Sequence, residues 1–396
     1  MEYFQEYLPV ELADKLPLIV SIGAIVFYTL FKYNKSKFKT SIVKNADKTP
    51  ETYVKPNIEP VSTDFEWDKV TPLKSFPFKN GEYKLTMGIR KLDPQDWLLI
   101  EPTYLNRIEN KAKIVSNTHP DYPPDKDLAS NTVLITDEAI PAIREFYDIV
   151  IDYMCVKYPV YFKGAKNGKV FNSITGNYLP ARAADEANPR ELLIILANNI
   201  EEDFLILLKD PSREDEKDGT EYFFKAGIFA FAAGFNPKDR FNKPLSFVHH
   251  PVPGYETKLK LSMNRFFNRI EPGQFVTRSN FSVQTHHKLY VDDQNKGHHL
   301  REGEKQVAID AATLDFEKQV HYRSERQALT KLPKSKAVVF TIRTYLLPMS
   351  EIKKDDREVR ERLIGAIKGL PEETSLYKRA AEWGPAVVEY LLDQNK

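Results

Sequence analysis

The sequence predicts an α+β protein, an antiparallel sheet flanked by helices and preceded by one N-terminal transmembrane helix. Three observations carry that expectation. Four stretches rich in aromatic and β-branched residues fall in the second half of the chain. Amphipathic patterns cluster before, between and after them, without the strict strand-helix alternation of a parallel α/β fold. An uncharged run, Leu16 to Phe31, stands near the start.

That run, LPLIVSIGAIVFYTLF, reaches roughly 27 Å when extended to Tyr33 at about 1.5 Å per residue, enough for a thin bilayer. Acidic residues Glu2, Glu6, Glu11 and Asp14 precede it, and Lys32, Lys35, Lys37 and Lys39 follow it. The positive-inside rule therefore places residues 1–15 on the non-cytosolic side and the remainder in the cytosol. A buried core helix is the competing reading, because the run is short and contains Pro17 and Gly23. Residues 34–64 lack periodicity and read as a linker, with the folded body at 65–396.

Within the body, Asp93-Pro94 offers a cap and first-turn proline before a helical pattern running to Lys111. Thr136 to Tyr158 places Ile140, Ile143, Phe146, Tyr147, Val150 and Ile151 on one helical face. The strand candidates are Glu221–Phe235, Gln274–Val283, Val320–Leu329 and Lys336–Leu347. Tyr255–Ile270, Asp356–Ile367 and Glu372–Leu392 read as helices, and the charged stretches Lys209–Gly219 and Asp292–Gln306 as surface loops.

Composition narrows the function. Hydrophobic residues at 42% and charged residues at 29% suit a folded body, and 57 Lys+Arg against 56 Asp+Glu gives +1, with no field to draw nucleic acid. The single cysteine, Cys155, excludes a disulfide framework and a Cys-rich zinc site. No nucleotide-binding glycine fingerprint, phosphate loop or HExxH motif occurs. Histidine is then the informative residue. His249-His250, His286-His287 and His298-His299 are adjacent pairs, and the last two lie among polar residues and read as solvated. His249 lies in VHHPVPGY, where Pro251 and Pro253 stiffen the loop and can hold one imidazole at a fixed angle, as an axial metal ligand requires. A structural histidine beside a Pro turn is the alternative.

In VHYRSERQALTKLP a strand places His321, Arg323, Glu325 and Gln327 on one face. In FTIRTYLL, Thr341, Arg343 and Tyr345 share a face. If the strands pair, Glu325, Arg343 and Tyr345 could line one surface that delivers protons or holds a carboxylate. A solvated face with cross-strand Glu–Arg pairs fits the composition equally well.

The segments MGIRKLDPQDWLLIEPTY, VHHPVPGY, LSMNRFFNRI, RSNFSV and RSERQALTKLPKSKAVVFTIRTYL resemble the haem-dependent oxidative N-demethylase alpha-subunit family, in order from about Phe65 to Leu392. The resemblance implies a PAS-like sheet that binds haem b and uses dioxygen to oxidise a small methylated amine, a monooxygenase-type oxidoreductase. It matches the family's axial histidine to His249. Arg265 and Asn280, in two of the quoted segments, are counted with it as cofactor-binding, and Glu325, Arg326 and Arg343 as catalytic pocket residues. Substitutions at Glu325 and Arg343 are then expected to leave folding nearly normal. The N-terminal anchor lies outside the resemblance, a membrane-tethered arrangement of the kind associated with fungal members. Electrons would come from a separate reductase, since the chain has no nucleotide fingerprint or cysteine cluster of its own. A haem-binding sensor or carrier without turnover, or a tethered interaction protein with an empty pocket, are the rival readings.

Overall fold

The computed structural model describes residues 53–165, 167–301 and 303–393. The expected membrane span at 16–33 lies outside them, and among the described residues no helix is long and apolar enough to cross a membrane. The chain divides into two units, Met1–Val54 and Lys55–Lys396, and the second is described below.

In chain order its principal elements are β1 (Arg90–Lys91), α1 (Tyr104–Val115), β2 (Val133–Ile135) and α2 (Ile140–Lys157). A small sheet follows, β3 (Phe162–Ala165), β4 (Lys169–Asn172) and β5 (Asn177–Pro180), then α3 (Pro189–Ala197), β6 (Asp203–Lys209) and β7 (Tyr222–Ile228). The remainder comprises α4 (Leu245–His249), α5 (Lys260–Arg269), β8 (Phe275–Gln284), β9 (His321–Lys331), β10 (Val338–Pro348), α6 (Arg357–Lys368), α7 (Glu372–Tyr377) and α8 (Ala380–Leu392). The large sheet has the order β1-β8-β9-β10-β6-β7-β2, and every neighbouring pair is antiparallel. This is the mixed α+β architecture that the sequence predicts.

The four expected strands are β7 to β10. The first is shorter than its pattern: β7 stops at Ile228, and Phe229 to Ala232 continue as buried irregular chain. The central strand β6 carries no sequence-level expectation, because DFLILLK is a continuous apolar run without the period-2 alternation of a half-buried strand. It is buried nearly throughout, between β10 and β7. α2 forms as expected, with Ile143, Phe146, Tyr147, Val150 and Ile151 in the core.

Other boundaries differ for local reasons. Asp93 does cap, accepting from Gln95 N–H at 3.0 Å, but it starts only a 3-10 turn, Pro94–Asp96, and the helix waits until Tyr104. Tyr255–Ile270 begins as a π-helical turn after Gly254, whose φ of 76° reverses the chain, and becomes α-helical at Lys260. The expected C-terminal helix breaks between α7 and α8, where Arg379 takes a left-handed φ of 54°. Residues 55–64, within the stretch read as linker, pack on the body: Val61 N–H donates to Lys157 O at 2.8 Å, and Ile58 and Val61 cover the core. The two charged stretches are not wholly superficial, since Asp210 and Lys296 are buried.

β6 and β7 shift register between Ile206 and Leu207. Gly227, paired with Leu205 just before this irregularity, has φ 154°, and a Cβ there would stand 2.1 Å from Phe204 O. No side-chain rotation relieves a clash with a backbone carbonyl. Gly227→Ala should therefore cost about 1–3 kcal/mol or more through backbone strain in β7, read as a lower urea midpoint. An unchanged midpoint would mean that the strands slide freely there.

Candidate functional site

Strand register decides which of the expected site residues meet. Residues directly opposite each other in an antiparallel pair project from the same face. Between β9 and β10 the partners are Arg326↔Arg343, Glu325↔Thr344 and Ser324↔Tyr345. Between β8 and β9 they are Asn280↔Glu325 and Arg278↔Gln327. Glu325 and Asn280 thus share one face, and Arg326, Arg343 and Tyr345 share the other. The expected surface combining Glu325, Arg343 and Tyr345 does not form. Alternation ordered each strand correctly, but only the register, unreadable from either strand alone, says which alternating sets coincide.

On the Arg343 face the guanidinium is fully buried and held by three carboxylates: Glu101 at 2.8 Å, Glu201 at 2.7 Å and Glu202 at 3.1 Å. It also donates to Leu99 O at 2.9 Å, and Tyr345 O–H donates to Glu101 at 3.1 Å. Burial works against its charge, yet Glu201 and Glu202 outweigh burial and raise its pKa well above the ordinary arginine value. Arg326 is buried beside it and donates to the carbonyls of Trp97, at 3.4 Å, and Asp96. Both arginines fasten the central strands to the segment Asp96–Glu101. Lys111, on α1, neutralises the rest of the acidic run at the start of β6, with Asp203 at 3.3 Å.

The other face carries different chemistry. His249 ends α4, and α4 is pinned where Ser246 N–H and O–H donate to the Glu221 carboxylate at 2.7 and 2.6 Å, beside Asn264 from α5 at 2.6 Å. The expected stiff loop is present, with Val252 N–H donating to His249 O and Tyr255 N–H to Val252 O. The His249 ring stacks on Tyr255, centroids 5.2 Å apart and planes 16° from parallel. Its Nδ1 lies 2.9 Å from Leu245 O, and because a carbonyl only accepts, Nδ1 carries the proton and Nε2 the lone pair. The ring keeps some accessible surface, yet burial, reinforced by the Arg278 and Arg240 charges, pulls its pKa down to about 4. The result is a neutral imidazole with one nitrogen available. His250, its neighbour, is exposed.

Around His249 the structure assembles residues that sequence reasoning missed. Arg278 sits two positions before Asn280 on the same face of β8, within RSNFSV, so alternation could have found it. Its Nε is buried without a hydrogen-bond partner. Lys378, at the break between α7 and α8, is buried and donates to Phe281 O at 2.6 Å, with Asn280 Oδ1 at 3.4 Å. Lys296, also buried, packs its ammonium 4.9 Å from the centre of the Tyr377 ring. Glu325 accepts from Gln327 Nε2 at 3.0 Å and lies 3.6 Å from Arg323 Nε. Two buried lysines elsewhere have carboxylates, Lys111 with Asp203 and Lys225 with Asp210 at 2.5 Å. Among the described residues, Arg278, Lys296 and Lys378 have none within ion-pair distance.

Arg265, expected to bind cofactor, is exposed on α5. His286 is not solvated as expected: it is tied to Asn295 at 2.9 Å, and burial takes its pKa to about 4. A shallow surface hollow of about 540 Å³ lies between residues 80–82 and 365–371, and none of the residues above lines it.

Fold and site together define an α+β protein that presents a neutral, one-sidedly free imidazole beside buried, unpaired cations, an arrangement suited to an anionic metal-bearing cofactor. A family model described as haem-dependent oxidative N-demethylase, alpha subunit-like, matches residues 88–388, and the chain belongs to that family. The match contains His249, Asn280, Glu325 and Lys378, and the family description supports haem as the cofactor. The residues present fit that group. The Arg278 Nε without a partner and the unpaired Lys296 suit its two carboxylates, and the His249 Nε2 suits its iron.

Proposed function

We propose that this chain is a haem-binding oxidoreductase of the monooxygenase type that oxidises a methyl group on a small amine with dioxygen and external electrons. One observation carries the reading: a neutral imidazole with a free Nε2 stands among buried cations that have no anion of their own. Uncompensated charge held away from water is costly, so a fold that brings the half-buried Arg278, with its Nε buried and unpartnered, together with the buried Lys296 is built to receive negative charge. Haem b is the group assigned: His249 Nε2 would hold its iron, and Arg278 and Lys296 would hold its carboxylates. When bound, it supplies the redox chemistry that activates dioxygen.

The protein's own groups divide the remaining tasks. Glu325, opposite Asn280 and beside Gln327, is the carboxylate that meets the amine substrate and orients it. Tyr255 and the Pro-Val-Pro loop fix the imidazole plane. Arg326 and Arg343 hold β9 and β10 in place from behind and touch no substrate. The PAS-like character of the sheet, the membrane span at 16–33 with the body in the cytosol, and a separate electron-donating reductase complete the proposal. Acidic residues before the uncharged run and lysines after it support the orientation.

Titrating haem into the purified full chain should develop a Soret band, and supplying reductant and dioxygen should release formaldehyde from members of a methylated-amine panel. Arg278→Ala and Lys296→Ala should each weaken haem binding roughly tenfold, the worth of one charge-assisted hydrogen bond of about 1.5 kcal/mol. No Soret band would defeat the reading. A band with reversible gas binding but no formaldehyde would replace the enzyme by a sensor.

A further inference from the structure

Lys378 is the one cation of this site that the propionate assignment leaves unused, and its surroundings are unlike those of a structural lysine. It follows α7 directly. Trp383 Nε1–H donates to its carbonyl at 3.1 Å, and the left-handed Arg379, paired with Glu382 at 2.8 Å, turns the chain away into α8. The side chain is thereby driven inward, and only 7% of the residue is exposed. There Nζ meets the carbonyl of Phe281, the amide oxygen of Asn280 and the Phe281 ring, whose centre is 5.1 Å away. An ammonium has three N–H donors, and among the described residues no carboxylate takes the third. Asn280 is the cross-strand partner of Glu325, so Lys378, Asn280 and Glu325 form one row across the middle of β8 and of β9.

We propose that Lys378 is the general base of this site, taking the proton that a protonated amine substrate must lose before its N-methyl group is oxidised, with Glu325 as its electrostatic partner across Asn280. The inference rests on the amine-oxidising reading given above. The step balances without any redox partner: an N–H bond of the substrate ammonium breaks, an Nζ–H bond forms on neutral Lys378, and one positive charge moves from substrate to lysine.

A small alkylamine resembles a free lysine and arrives protonated, with a pKa of about 10. Burial, then repulsion from Lys296 and Arg278, brings Lys378 down to about 7, against the opposing pull of Glu325. The same burial and the same two cations act on a bound ammonium, so both nitrogens compete for one proton on comparable terms. Other charges nearby are spoken for, since Arg379 is paired with Glu382 and Arg323 points its NH groups at the carbonyls of Leu289 and Phe231.

Two measurements test this. The first uses the haem-free full chain and compares the thermal midpoints of wild type and Lys378→Met from pH 6 to 10. A lysine with a folded pKa near 7 and an unfolded value of about 10.4 binds fewer protons folded than unfolded between those values. Wild type should therefore gain on Lys378→Met as pH rises through that window, a shift of several degrees, and run parallel to it below pH 7. Glu325→Gln removes the charge that favours protonated Lys378 and should move the onset to lower pH. A gap that does not vary with pH overturns the proposal.

The second measurement follows formaldehyde release by the haem-loaded chain against pH. Wild type should lose about tenfold per pH unit on the acid side of a limb near neutrality, and Lys378→Met should lose the limb together with roughly a hundredfold or more of the rate. A limb that survives Lys378→Met overturns the base assignment alone and leaves the amine-oxidising reading standing. Absence of turnover in wild type removes both.

Discussion

Arg343→Ala should leave the body unable to fold stably. The substitution strips three buried carboxylates, Glu101, Glu201 and Glu202, of their common counter-ion and leaves the Leu99 carbonyl without its donor. Breaking one buried pair by removing a partner costs about 3–5 kcal/mol, and a whole domain is stable by only about 5–15 kcal/mol. Three orphaned acids in one cavity exceed a single pair. The expected result is loss of soluble protein, or a urea midpoint collapsed toward zero. Arg343→Lys should be intermediate, since an ammonium restores one charge but cannot reach three carboxylates in the planar fork of a guanidinium. Normal folding of Arg343→Ala would return this residue to the pocket in which the sequence reading placed it, whereas collapse would confirm that its position on the far face of β10 defines its role.

His249→Ala should have the opposite profile, an intact fold without haem. The imidazole contributes one hydrogen bond to a carbonyl and one stacking contact, at a position that keeps some exposure, so secondary structure and urea midpoint should change little. Groups that only support a metal ligand are worth about 10–100-fold in affinity, and loss of the ligand itself should exceed that range. The Soret band should disappear, or shift to the position of weakly held haem. Imidazole added to the solution should partly restore it by occupying the vacated space. His250→Ala serves as the control, because His250 is exposed one residue further on. Equal spectra for the two variants would remove His249 from the iron.

How much of this was legible in the sequence depends on the range of the interaction involved. The helix at Ile140–Lys157 and the strands β8, β9 and β10 followed from periodicity, which is written into adjacent residues. The axial candidate His249 followed from the local stiffness of two prolines, and its spare nitrogen is consistent with that reading. β6 escaped because a fully buried strand has no polar face to mark its period. Lys378 escaped because nothing local distinguishes it from other lysines of the charged C-terminal segment. Only the left-handed turn at Arg379 and the docking of α8 drive it inward. The pairing of Glu325 with Arg343 failed for the most instructive reason, a register set by the whole sheet.

That register gives the stretch Ser324-Glu325-Arg326-Gln327 a double reading. Successive side chains serve separate masters: Glu325 and Gln327 share the face of Asn280 and Arg278, whereas Arg326 answers to the carbonyls of Asp96 and Trp97 behind the sheet. What looks like one signature is two interleaved messages, one about architecture and one about chemistry. A descendant could erase the glutamate and lose its trade while keeping its shape, and a search tuned to the arginines would still recognise it. If Glu325 has the proposed role, genomic inventories of such proteins would do better to score the acidic letter apart from its neighbour, because only that letter would report on occupation.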